Sequence, residues 1–163
     1  MRPTKTKIVT SSELRGLANT AKKQGKRLVF ANGCFDTLHV GHVRYLQGAK
    51  EEGDILIVGV NSDASVRSLK GPKQPILDEM ARAQLVAALG SVDYVVVFPE
   101  ANVERLLEEI RPNVHAKGTD YTAESVPERA VADRLGIRVA IVGDPKDHST
   151  RALLESIRKD GHG

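Results

Sequence analysis

"RLVFANGCFDTLHVGHVRYLQGAKEEGDILIVGVN", Arg27 to Asn61, reads as a strand, a helix and a second strand. "RLVFAN" (Arg27–Asn32) and "DILIVGVN" (Asp54–Asn61) are near-continuous apolar runs of strand length, as expected where both faces of a parallel sheet are covered. Between them "GHVRYLQGAKEEGD" places Val43, Leu46 and Ala49 at helical spacing and ends at Gly53. The alternation continues downstream. "YVVVF" (Tyr94–Phe98), "NVHAK" (Asn113–Lys117) and "RVAIVG" (Arg138–Gly143) read as strands, separated by the helical patterns "DEMARAQLVAALG", "NVERLLEEIRP" and "PERAVADRLG". Pro127 stands near the first turn of the last of these. Upstream, "SSELRGLANTAKKQG" offers Ser12 as a cap, Leu14 and Leu17 on one face and Gly25 as a stop, a helix over about residues 12–25. A final helix over about residues 150–159 follows "DPKDHS". Strand and helix in unbroken alternation imply right-handed crossovers. The expected fold is α/β, a single doubly wound, Rossmann-like parallel sheet with helices on both faces, residues 1–163 forming one domain.

Composition narrows the function. Lys and Arg total 24 against 21 Asp and Glu, interleaved with no basic run, and aromatics are 4% with no Trp, so the stacking surface of a nucleic-acid binder is missing. A small anion needs only a local basic cluster. "KGPKQP" (Lys70–Pro75), rich in turn residues, is the candidate substrate loop. One cysteine, Cys34, excludes an intrachain disulfide and fits a reducing compartment, where it reads as a small packing residue. No apolar run approaches the roughly 20 residues that cross a bilayer, and "MRPTKTKIVTSSELRG" lacks a signal-peptide core, so a cytoplasmic protein without membrane or nucleic-acid partners is expected.

In such sheets ligands bind beyond the carboxyl ends of the strands. The first strand ends at Asn32, which sets "GCFDTLHVGH" in the cleft. Gly33 allows close backbone approach, and Gly41 opens a helix whose unpaired N–H groups attract an anion. His39 and His42, three residues apart around that start, can both face one bound group and donate to phosphate oxygens while neutral in the empty site. That suits phosphoryl or nucleotidyl transfer. The bland alternative is a polar cap (His39) beside a first-turn surface residue (His42). A metal pair lacks a third ligand at suitable spacing, and no Walker-type GxxxxGK[ST] loop occurs. His115, inside an apolar strand, reads as a satisfied core residue, and His162 belongs to the tail.

"GCFDTLHVGH" resembles the HxGH signature of the cytidylyltransferase-like nucleotidyltransferases. The resemblance extends through "VNSD" (Val60–Asp63), Arg82, "KGTDY" (Lys117–Tyr121) and "HST" (His148–Thr150), covering most of Lys26 to Lys159. "VFANGCFDTLHVGH", "VNSDASVRSLKG" and "KGTDY", with the leading helix, are most similar to the heptose-1-phosphate adenylyltransferases of lipopolysaccharide core synthesis, in their free-standing form since no sugar-kinase domain is present.

The resemblance implies an enzyme moving AMP from ATP to a heptose 1-phosphate, with Mg²⁺ accompanying the nucleotide and a homo-oligomer, dimer or larger, as the assembly. By this resemblance His39 and His42 stabilise the α-phosphate. Gly33, Cys34, Phe35, Lys117, Gly118 and Asp120 line the nucleotide pocket, and Ser149 and Thr150 contact its phosphates. Arg82 meets phosphate, Lys70 and Lys73 take the sugar phosphate or triphosphate, and Asp36 positions substrate or magnesium. Arg151 stands where relatives often carry a second threonine. "DPKDH" replaces an arginine found in cytidine-nucleotide enzymes, leaving Lys146 or Arg151 to compensate. The alternatives are a cytidylyltransferase acting on glycerol 3-phosphate or a similar alcohol phosphate, and a nucleotide-binding regulatory protein without turnover.

Overall fold

The five expected strands form one sheet because their apolar runs have a helix layer to cover each face. The computed structural model describes residues 2–144 and 150–160. The strands are β1 (Leu28–Gly33), β2 (Ile55–Asn61), β3 (Tyr94–Phe98), β4 (Val114–Lys117) and β5 (Arg138–Ile141). All pair in parallel in the order β3-β2-β1-β4-β5. The helices are α1 (Thr4–Lys7), α2 (Ser11–Lys23), α3 (Val40–Glu51), α4 (Asp63–Lys70), α5 (Glu79–Ala87), α6 (Glu104–Ile110), α7 (Arg129–Leu135) and α8 (Thr150–Asp160). The fold is the expected Rossmann-like α/β sheet with helices around it.

Strand alternation sorts the core into two layers. From β1, Val29 and Ala31 face a layer completed by Leu46 and Ala49 of α3 and Ala83, Val86 and Ala87 of α5. Leu28 and Phe30 face the opposite layer, built from Leu14 and Ala18 of α2, Leu106, Leu107 and Ile110 of α6 and Ala132 of α7. Burial of each large aliphatic or aromatic side chain here contributes about 1.5–3 kcal/mol. Among the described residues no helix is long and apolar enough to cross a membrane.

The element starts refine the sequence reading. Thr10, rather than Ser12, caps α2: its hydroxyl accepts from Glu13 N–H (3.2 Å), and the Glu13 carboxylate accepts from Thr10 N–H (2.7 Å). That reciprocal pair satisfies two otherwise unpaired donors. Helices α1 and α4 were not anticipated. α1 is a single turn, and the only large aliphatic residues of α4 are Val66 and Leu69, with Leu69 exposed, so neither shows a periodic apolar face. α4 starts at a local cap, the Ser62 hydroxyl accepting from Ser65 N–H (3.2 Å).

The sheet order places the cleft. From β1 the chain winds outward through β2 to β3, then returns to lay β4 on the other side of β1. Beyond the carboxyl ends of β1 and β4 the connections diverge, opening a crevice over the sheet.

Candidate active site

α3 begins directly over that crevice, and its first turn is held by its own histidines. His39 is the N-cap, and its Nδ1 accepts from Gly41 N–H (3.1 Å). His42, three residues on, accepts the His39 N–H at its own Nδ1 (3.4 Å). This is a capping box built from imidazoles. An Nδ1 that accepts carries no proton in the neutral ring, so in both residues the proton sits on Nε2, the outer end of the ring. The rings stack with centroids 3.9 Å apart and planes inclined by 26°. Burial, then the neighbouring His39 and Lys70, push the His42 pKa down to about 4, so at neutral pH it is an uncharged donor. The cap reading and the site reading therefore coexist: capping occupies Nδ1 and orients Nε2–H.

Neighbouring backbone supports the pair. Phe35 adopts φ +50° and is almost fully buried, an uncommon conformation for a bulky residue. Its ring edge meets His42 at 5.1 Å between centroids. The same ring lies so close beneath Gly33 that a Cβ there would stand 3.0 Å from it. Gly143, at φ +93°, brings the chain after β5 within 3.2 Å (from an added Cβ) of the Tyr45 backbone on α3. Only glycine permits both the positive φ and that approach.

The crevice has a volume of about 710 Å³. It gathers Gly33, Cys34, Phe35, His39, His42 and Lys70 from one side, and Lys117, Gly118 and Asp120 from the end of β4. Lys117 is 6% exposed, with Nζ 4.6 Å from the centroid of the Tyr121 ring; burial lowers its pKa against the opposing pull of Glu128 and Asp120. Cys34 has its thiol pushed up by burial and so remains a packing group rather than a thiolate. Ser149 lies outside the described residues, and Thr150 is described only as the first residue of α8.

Three expected ligands sit elsewhere. Arg82 is fully buried beneath the cleft instead of facing a phosphate. Its guanidinium donates to Leu77 O (2.9 Å), Cys34 O (2.7 Å), Asn61 O (2.7 Å) and Asp63 Oδ1 (2.8 Å). It thereby joins the ends of β1 and β2 to the segment before α5. Asp36 is also buried and does not line the cleft; its Oδ1 accepts from Ile76 N–H (2.7 Å) and Leu77 N–H (3.1 Å). It anchors the basic loop in place of a substrate. Lys73 is exposed and does not line the cleft. In each case a strand end or loop supplied backbone partners, or solvent supplied hydration, that the residue type alone does not disclose.

Residues the sequence reading passed over also line the cleft, among them Asn32, Tyr45, Asn61, Tyr121 and Glu128. Tyr45 was findable, lying three residues past His42 on the same helix face. Asn32 is held from below by His115, whose Nε2 stands 3.1 Å from Asn32 Oδ1. His115 is therefore a core residue that also supports the cleft floor. Burial, then Lys117, press its pKa down to about 3, and its buried Nδ1 has no partner among the described residues. Below the ordinary 6.5 the unfolded chain binds a proton that the folded ring refuses, so stability falls as pH falls. From pH 6.5 to about pH 5 the loss from this ring is about 2 kcal/mol. Urea unfolding at the two pH values should show a drop smaller by that amount in His115→Leu.

Comparison with known proteins agrees with this geometry. The sequence model of the cytidylyltransferase-like family matches residues 30–152. The chain belongs to that family. It is a family of nucleotidyltransferases, and the match takes in the imidazole pair, the cleft and the start of α8. The chain is 49% identical over 151 residues to the bifunctional protein HldE of Geobacter metallireducens, covering 93% of this chain and 31% of that protein. It is 48% identical over 153 residues to HldE of Geobacter sulfurreducens, covering 94% and 31%. The chain thus spans just under a third of the length of these relatives. Among solved structures, a lipopolysaccharide core biosynthesis protein from Thermoplasma volcanium superposes with a TM-score of 0.64 at 27% identity, over 75% of this chain and all of that one. A pantothenate synthetase from Thermus thermophilus shares the fold, with a TM-score of 0.61 at 18% identity over 88% of this chain and 63% of its own.

Proposed function

We propose that the protein transfers AMP from ATP to a heptose 1-phosphate, giving ADP-heptose and pyrophosphate for lipopolysaccharide core synthesis. The observation that carries this reading is the imidazole capping box, which holds two Nε2–H donors side by side at the start of α3. The resemblance of "VFANGCFDTLHVGH" and "KGTDY" to heptose-1-phosphate adenylyltransferases and the likeness to HldE proteins support the choice of nucleotide and sugar.

In this reading an oxygen of the sugar phosphate attacks the α-phosphorus of ATP. The new P–O bond forms as the bond to the β-phosphate bridging oxygen breaks, and pyrophosphate leaves with that electron pair. No protein nucleophile is required, because the attacking phosphate is already anionic. Catalysis is positioning and charge stabilisation. The imidazoles donate to α-phosphate oxygens as charge builds there, and Lys70 at the cleft rim and Lys117 on its floor offset the negative charge. Among the described residues no group of three or more His, Cys, Asp or Glu could hold a metal ion. In this reading magnesium would arrive on the triphosphate and offset part of its charge.

Pyrophosphate release tests the proposal. ATP with heptose 1-phosphate should turn over at least about tenfold faster than CTP with glycerol 3-phosphate, a preference of only about 1.4 kcal/mol in transition-state binding. Faster turnover with the second pair would favour the cytidylyltransferase alternative. Nucleotide binding without release from any pair would favour the regulatory alternative.

A further inference from the structure

Glu128 carries a feature that nucleotidyl transfer at the imidazoles leaves unexplained. It follows Pro127 immediately before α7, lines the crevice and is 4% exposed. Its Oε2 is buried with no hydrogen-bond partner among the described residues. Native proteins seldom leave a buried carboxylate oxygen unpaired, because its desolvation is then uncompensated. The neighbours do not remove the deficit. The Tyr45 hydroxyl, which senses the Glu128 charge, commits its proton to Ala116 O at 2.7 Å. Lys117 also senses that charge, but no ion pair joins the two among the described residues; its ammonium lies over the Tyr121 ring. A hydrogen-bond donor entering the crevice would satisfy that oxygen.

The place of Glu128 narrows the donor. Tyr45 lies three residues beyond His42, about 4.5 Å along the axis of α3. Tyr45 on α3 and Lys117 on β4 both sense the Glu128 charge, which sets Glu128 on the part of the crevice between α3 and the end of β4. With the α-phosphate on the histidines, the nucleoside half of the nucleotide is the part left to occupy this side of the crevice. A carboxylate oxygen without a proton is a hydrogen-bond acceptor. It favours an exocyclic amine or a ribose hydroxyl and disfavours a carbonyl at the same point.

We propose that Glu128 is a specificity-determining residue, accepting a hydrogen bond from an N–H or O–H donor on the nucleoside of the bound nucleotide. This rests on the nucleotidyltransferase reading above and extends it to a contact that residue spacing does not reveal. A site built around such a bond penalises the analogue lacking it far more than a loss of apolar contact would.

The test measures nucleotide affinity by calorimetry and kcat/KM by pyrophosphate release. ATP is compared with inosine triphosphate, purine riboside triphosphate, 2′-deoxy-ATP and 3′-deoxy-ATP, on the wild type and on Glu128→Met and Glu128→Gln. In the wild type at least one analogue should lose about 30-fold or more, and in Glu128→Met that penalty should shrink to about threefold or less. The base analogues and the deoxy analogues separate an amine from a hydroxyl as the donor. Replacing the buried, unpaired carboxylate by an apolar side chain in Glu128→Met should also raise the melting temperature of the empty protein by about 3 °C, and a cooperative melt of each variant checks that both fold. Equal analogue penalties in wild type and both variants would overturn the assignment while leaving the enzyme reading intact. Failure of the wild type to bind any of the nucleotides would overturn both.

Discussion

Arg82→Ala is expected to lower the unfolding free energy by about 3–5 kcal/mol, the usual cost of removing one partner from a buried charged network. The wild-type guanidinium is wholly buried and fills four acceptors in three directions. Truncation leaves the carbonyls of Cys34, Asn61 and Leu77 facing a dry void. Asp63 loses its partner too, although its side chain is 28% exposed and regains part of its hydration. Lysine should rescue little, since a single ammonium on a flexible stem cannot reproduce the planar fork. Urea unfolding measures the effect directly. The rival role makes a different forecast: an arginine that meets phosphate in an open cleft would leave stability within about 0.5 kcal/mol on replacement.

His42→Ala is expected to lower turnover by about 10²–10³-fold, or roughly 3–4 kcal/mol, the loss recorded when one charge-stabilising donor is removed. The substitution deletes the inner Nε2–H and also frees the His39 backbone N–H, whose acceptor is the His42 ring. Because the rings stack, His39 loses part of its orientation as well, so the double variant should cost less than the sum of the separate effects of His39→Ala and His42→Ala. Steady-state pyrophosphate release checks the rate, and calorimetric ATP affinity checks that the defect lies in kcat more than in binding. Turnover within about threefold of wild type would remove the imidazole pair from the mechanism.

The sheet was legible because its signal is local. Runs such as "LIVGV" can be buried on both faces only in a covered parallel sheet, and the glycines and caps between them mark where helices start and stop. The imidazole pair was legible for the same reason, since three-residue spacing at a helix start forces neighbouring rings. Arg82, Asp36 and Glu128 were not. Arg82 sits on an amphipathic helix where charge ordinarily points outward, and its burial depends on carbonyls from β1, β2 and a loop meeting at one point. Asp36 likewise finds its donors 40 residues away at Ile76. Nothing in "SVPERAV" distinguishes Glu128 from a solvated helix-start acid; only the folded chain shows it buried on the crevice wall.

The most direct test of the imidazole reading is ¹⁵N NMR of the histidine rings at neutral pH, with and without a non-hydrolysable ATP analogue. The empty protein should show His39 and His42 as neutral rings protonated on Nε2, with Nδ1 in its unprotonated, hydrogen-bond-accepting form. Addition of the analogue should shift both Nε2–H signals and leave the tautomers unchanged. Rings protonated on Nδ1, or Nε2–H signals indifferent to the nucleotide, would contradict a phosphate held by this pair.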